Sequence, residues 1–240
     1  MRGFIDLHCH YVAAIDDGAP STDVSLAMLR ELRAIGFDRV IATPHMRPDW
    51  FDNKSDDLRR AFDATATALQ GAAELPAIDL ACEHYFDEVV YGRLMSDQAL
   101  PYPGGRAALV EFQGVDFPAV LAERLFDLRR RGIMPVIAHP ERYRCFWGRT
   151  ELLQSLVDGG CATLLDVAAL VGRYGREPQR AAEHLLELEL YHAACSDLHR
   201  PSDAARVAQG IDRLAALYGD DEVDYLLRQG PEALLAGELP

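Results

Sequence analysis

Lysine is almost missing from this chain: Lys54 is the only one in 240 residues, so nearly all positive charge is arginine. A lysine nucleophile or general base is therefore close to excluded. Basic charge is scarce altogether, and a net charge of −14 repels a phosphate backbone, which argues against nucleic acid as the main partner. No stretch approaches the roughly 18 consecutive apolar residues of a membrane span. Asp6 and His8 come too early for a secretory leader, so the expectation is a cytoplasmic protein without membrane insertion. The five cysteines show no CxxC spacing, and an odd number in such a chain reads as reduced thiols rather than a disulfide framework. Linkers, internal repeats and a glycine-rich phosphate fingerprint after the first apolar run are also lacking.

What is present suits one α/β domain over residues 1–240, with 49% hydrophobic and 26% charged residues and enough length for a substantial core. Short apolar runs alternate with helical patterns. Runs at Phe4–His10, Arg39–Thr43, Ile78–Cys82, Ala107–Val110, Ile133–Ala138, Ala162–Val167 and Tyr191–Cys195 read as strands. Between them, Ser21 caps a helix that Gly36 stops, and further helices are expected over 55–71, from Asp116 and Pro118 to Gly132, over 151–158 and over 177–188; Ser202 is expected to cap a closing helix. The proline- and glycine-rich loop through Pro101 and Gly105 is long for a connector and suggests an active-site border. Strands and helices alternating at this spacing specify parallel βαβ units. About seven of them predict a distorted (β/α)7 barrel of the triosephosphate isomerase kind, whose strand ends open on one catalytic face.

The residues at or just past those strand ends are His8, His10, Asp16 or Asp17, His45, Glu83, Glu111, His139, Asp197 and His199. Strand ends drawn at random would be mostly glycine, asparagine and serine, whereas these are histidine and carboxylate almost throughout. His8 and His10, two apart on a strand, project to one face as a metal clamp, and Asp197 with His199 repeats the spacing. About four ionised carboxylates in one pocket repel one another unless cations are present, and two or three divalent ions would leave a pocket suited to phosphate.

The segments Ile5-Asp-Leu-His-Cys-His10, Ile15-Asp-Asp-Gly18, Ala42-Thr-Pro-His45, Glu83 with Tyr85, Leu109-Val-Glu-Phe112, Ile137-Ala-His-Pro-Glu-Arg-Tyr143 and Ser196-Asp-Leu-His199 span the chain. In that order they resemble the PHP (polymerase and histidinol phosphatase) superfamily, and within it the bacterial CpsB/YwqE-type metal-dependent protein-tyrosine phosphatases. The resemblance implies a PHP fold and two to three divalent ions, manganese first, with iron, zinc, cobalt or magnesium as alternatives. The ligands implied are His8, His10, Asp17, His45, Glu83, Glu111, His139, Asp197 and His199. Arg142 and Arg200 would touch the substrate phosphate, and Arg47 is a further candidate. Many relatives have a second histidine where this chain has Met46.

The reaction implied is phosphomonoester hydrolysis by a metal-bound hydroxide, with Asp197 or His199 as candidate proton donor to a tyrosine phenol whose pKa near 10 makes it a good leaving group. Aromatic residues shortly after ligand positions, among them Tyr11, Trp50, Tyr85, Phe86, Tyr143 and Phe146, are candidates to pack on the substrate ring. The partner implied is a phosphotyrosine protein, the tail of a bacterial tyrosine kinase controlling capsular or extracellular polysaccharide, with oligomerisation left open. A small metabolite such as histidinol phosphate is the alternative substrate. A thiol phosphatase is excluded, because that chemistry needs five residues between cysteine and arginine and four separate Cys195 from Arg200.

Overall fold

In the computed structural model, which describes residues 2–239, each apolar run becomes a short parallel strand. The strands are β1 (Phe4–Cys9), β2 (Phe37–Ala42), β3 (His45–Met46), β4 (Ala77–Leu80), β5 (Glu83–Tyr85), β6 (Ala107–Glu111), β7 (Met134–Ala138), β8 (Ala162–Asp166) and β9 (Ala193–Cys195). They form a sheet of order β1-β2-β4 and a second of order β3-β5-β6-β7-β8-β9, with every pair parallel.

The division is local. Pro44, which has no N–H for the ladder, separates β2 from β3, and Ala81-Cys82 separates β4 from β5. Hydrogen bonds bridge the break, from Ala81 N to Ala42 O at 2.8 Å and from Glu83 N to Pro44 O at 3.2 Å. Each pair is thus one interrupted strand, and nine strands occupy seven barrel positions. The segment after β9 closes the ring against β1 through Asp197 N to His8 O and His10 N to Leu198 O, both 3.0 Å. Asp6 stitches this seam, accepting from Ser196 N at 3.0 Å and from the Ser196 hydroxyl at 2.5 Å. The distorted (β/α)7 barrel is the expected architecture.

Alternation along the strands divides the core. Ala107 and Leu109 of β6, Met134, Val136 and Ala138 of β7, and Ala162 and Leu164 of β8 cluster with Ile5, Leu7 and Ile41 inside the barrel. Their neighbours Ala108, Val110, Ile137 and Leu165 pack outward under the helices. Those helices are α1 (Thr22–Ile35), α2 (Ser55–Ala68), α3 (Glu88–Met95), α4 (Ala119–Arg130), α5 (Thr150–Asp158), α6 (Arg176–Glu187) and α7 (Ala204–Tyr218). As expected, the Ser21 hydroxyl caps α1 by accepting from Val24 N at 3.4 Å, and Gly36 ends it at φ 124°.

Two expectations are corrected. The 101–105 loop does not border the candidate site: it leads into the N-terminal end of β6, and the Tyr102 hydroxyl donates to Leu7 O at 2.8 Å inside the barrel, closing the opposite end together with Leu234. Ser202 does not cap the closing helix, which follows a 3-10 turn over Pro201–Asp203. The chain also remains helical to Ala236, and α3 was not anticipated.

Candidate metal centre

His8 and His10 stand at the C-terminal end of β1, ring centroids 5.1 Å apart, where a register irregularity between Asp6 and Cys9 bends the strand into the mouth. Both imidazoles are aimed from behind. Thr43 Oγ1 lies 2.5 Å from His8 Nδ1, and Asp16 Oδ2 lies 2.7 Å from His10 Nδ1 while also accepting from His45 N at 3.1 Å. Their Nε2 atoms consequently face inward. The turn that delivers Asp16 requires Gly18, because a Cβ there would stand 2.0 Å from His10 O.

Glu83, at the start of β5, is the hub. Its Oε1 lies 3.4 Å from His8 Nε2 and 3.1 Å from His139 Nε2, and its Oε2 lies 3.5 Å from His10 Nε2 and 2.9 Å from His45 Nδ1. Asp197 Oδ1 stands 3.2 Å from His8 Nε2 and 3.6 Å from His10 Nε2. Asp17 faces His45 Nε2 at 3.4 Å and His199 Nε2 at 3.5 Å, which separates its role from that of Asp16. His139 and Asp197 adopt φ of 35° and 44°, strained for side chains with a Cβ and characteristic of functional positions.

The ligand-type atoms fall into four overlapping groups, each with its atoms within 4.8 Å of one another: His10, Asp17, His45, His199; His8, His10, Asp197; His8, Glu83, His139; and His45, Glu83, Glu111. All nine residues singled out in the sequence as ligands are in these groups. The set fits divalent metal ions on its own chemistry. Neutral imidazoles and carboxylates are the donors such ions take, and buried His8 Nε2, His10 Nε2, His45 Nδ1, Glu111 Oε2 and Asp197 Oδ1 make no hydrogen bond among the described residues.

Electrostatics agree with that fit. Burial opposes charge on Glu83, yet the His8 and His45 imidazoles and the His139 hydrogen bond hold its pKa well below the usual range. Burial and the Glu83 charge push Glu111 up to about 7. Burial and the His199 charge lower His10 to about 4, while burial and Arg142 lower His139 to about 4, leaving both rings neutral, whereas against burial the Glu83 charge raises His8 and His45 and the Asp197 charge raises His199 to about 9.

A cleft of about 450 Å³ beside the groups is lined by Arg47, Tyr85, Glu111, Gln113, Arg142 and Tyr143, among others. Arg142 Nη1 donates to Asp197 Oδ2 at 2.7 Å, and its guanidinium lies 4.5 Å from the Tyr174 ring. Arg47 is stacked 4.2 Å from Tyr85 and 4.5 Å from Trp50. Arg200 is exposed, precedes the Pro201–Asp203 turn and does not line this cleft. Of the candidate aromatics, Tyr11, Phe86 and Phe146 are core residues, whereas Tyr85 lines the cleft and Trp50 is 72% exposed. Thr43, Tyr174 and Arg144 were not identified in the sequence as site residues; Thr43 alone had a signal, its place in the Ala42-Thr-Pro-His45 segment. Cys195 is buried with its thiol on Leu165 O, and burial pushes its pKa well up, as for an inert structural thiol.

Known proteins are similar to this chain along nearly its whole length. Residues 4–236 match the family described as capsular polysaccharide synthesis, CpsB/CapC. The tyrosine-protein phosphatase YwqE of Bacillus subtilis is 30% identical over 239 residues, 98% of this chain and 92% of that protein. The tyrosine-protein phosphatase CpsB of Streptococcus pneumoniae is 26% identical over 98% of this chain and 99% of its own length. Among solved structures, one from a study of YwqE and CpsB as metal-dependent tyrosine phosphatases superposes with a TM-score of 0.88 at 30% identity, over 98% of this chain and 95% of that one. A lactonase of Deinococcus radiodurans, at TM-score 0.54 and 15% identity over 98% of this chain and 96% of that one, shares the fold alone. With a family match running from the first strand to the last helix, the chain belongs to the CpsB/CapC family.

Proposed function

We propose that this chain is a metal-dependent protein-tyrosine phosphatase, residues 1–240 acting as one cytoplasmic domain. The observation that carries the reading is the convergence of nine histidine and carboxylate side chains beside an arginine-lined cleft. His8, His10, Asp17, His45, Glu83, Glu111, His139, Asp197 and His199 would hold two to three divalent ions, manganese first among them. Such ions, when bound, lower the pKa of water towards neutrality and neutralise phosphoryl charge.

The rest is work for this chain's own groups. The Arg142 and Arg47 guanidiniums, each already oriented by an aromatic ring, hold phosphoryl oxygens through paired N–H donors. Arg200, next to His199, is assigned to the phosphate as an outer contact. Tyr85 packs on the substrate ring. Of Asp197 and His199, the two candidate donors to the leaving phenol oxygen, His199 fits better, because against burial the imidazoles and Arg142 hold Asp197 ionised while carboxylates raise His199 to about 9. Because tyrosine's phenol has a pKa near 10, that donor need contribute little. We assign as physiological substrate the tyrosine-rich tail of a bacterial kinase controlling capsular or extracellular polysaccharide, in keeping with the family's description and with the names of its relatives. Those names favour it over histidinol phosphate. The test is hydrolysis by chelator-stripped protein with manganese restored: a phosphotyrosine peptide should be turned over and histidinol phosphate hardly at all, and the reverse preference would overturn the proposal.

A further inference from the structure

We propose that the outer end of the cleft selects an acidic side chain on one flank of the scissile phosphotyrosine, with Arg144 as the residue that determines this preference; the inference rests on the tyrosine-phosphatase reading above. Three arginines line the cleft, and they differ in how their charge is used. Arg142 is neutralised by Asp197 at 2.7 Å. Arg47 is stacked between Trp50 and Tyr85, beside the metal groups. Arg144 is exposed, and among the described residues it makes no ion pair; its one ring contact is Trp147, at 6.0 Å.

Its place is nevertheless fixed. Tyr143 N donates to Pro140 O at 3.1 Å and Cys145 N donates to Gly114 O at 3.0 Å, so the backbone on either side of Arg144 is tied to the cleft. Gly114 packs so closely on Tyr143 that a Cβ would approach its ring to 2.5 Å. A guanidinium without an ion pair on a strapped turn is available to an anion, at the cost of ordering its own side chain.

The sign of the surroundings gives the preference a direction. The molecule carries a net charge of −14, so an acidic segment is repelled over most of the surface and attracted where Arg144 projects. The neighbouring depression, which shares Tyr85 and Gln113 with the cleft, carries Asp87 and Asp116, and its Arg124 is paired with Glu88. Acidic residues are therefore favoured on one flank only.

The experiment uses the manganese-loaded full chain and five phosphotyrosine peptides: a neutral parent, and versions with two glutamates or two lysines on the N-terminal or the C-terminal side. The expected result is a glutamate-to-lysine ratio in kcat/KM of about tenfold on one flank and near unity or inverted on the other, shrinking as salt is raised. Arg144→Gln should bring the first ratio close to one, and Arg144→Glu should invert it. Ratios within twofold on both flanks, or a preference that survives Arg144→Glu, would overturn this inference while leaving the phosphatase reading intact. Failure to turn over even the neutral parent would overturn both.

Discussion

Replacing Glu83 with glutamine keeps the shape of the hub and removes its charge. The two carboxylate oxygens lie 2.9–3.5 Å from four imidazole nitrogens, so an ion shared by those donors stands within about 4 Å of the lost charge. At an effective dielectric constant of about 20, one unit charge facing a divalent ion at that distance is worth about 8 kcal/mol before the cost of desolvating the carboxylate; a net loss of about half of that is about three decades in dissociation constant. The assay is calorimetric titration of manganese into chelator-stripped wild-type and Glu83→Gln protein, with circular dichroism confirming that both are folded. The expected outcome is loss of at least one site and about a thousandfold weaker binding at the remainder. Wild-type stoichiometry and affinity in a folded Glu83→Gln protein would refute the reasoning.

Other consequences can be checked independently. Arg142→Ala should lower kcat/KM on phosphotyrosine peptides about a hundredfold, since a preorganised donor to developing charge is removed, and steady-state kinetics measures it. Asp6→Asn should destabilise the fold by about 1–3 kcal/mol in urea denaturation, because it weakens a buried carboxylate that accepts from Ser196 across the barrel seam. His192 accepts from Thr163 N through Nδ1, and burial lowers its pKa to about 4 from 6.5. The unfolded chain therefore binds the proton first as pH falls, and this residue's share of stability, complete above about 6.5, drains away towards 4. Between pH 7 and pH 5 the wild type should lose about 1–2 kcal/mol more than His192→Asn, and identical pH slopes for the two proteins would exclude this.

Legibility in the sequence followed physical cause. The ligands were readable because a period of two and a short apolar run determine both where a strand ends and which side chains share its face, as at His8 and His10. That left Asp16 and Asp17 undecided, since both sit in an irregular turn; only tertiary contact assigns one to His10 and the other to His45 and His199. The breaks after Ala42 and Leu80 depend on neighbouring strands and leave only Pro44 as a trace. Helix α3 buries just Val90 and Leu94, too few for a periodic signal. The 101–105 loop was misread because length and composition show that a loop is unusual without showing which end of the barrel it covers. Tyr174 and Arg144 were hidden for a similar reason: Arg142, over the Tyr174 ring, and Gly114, which holds the backbone at Cys145 beside Arg144, lie about 30 residues away along the chain.

The account's central claim, that dispersed imidazoles and carboxylates form one metal-filled basin, is tested most directly by crystals grown with manganese and measured at its absorption edge. Anomalous peaks should stand inside the groups sharing Glu83, His8, His10 and His45. Maps without anomalous density there, from crystals of protein that turns over phosphotyrosine, would contradict it.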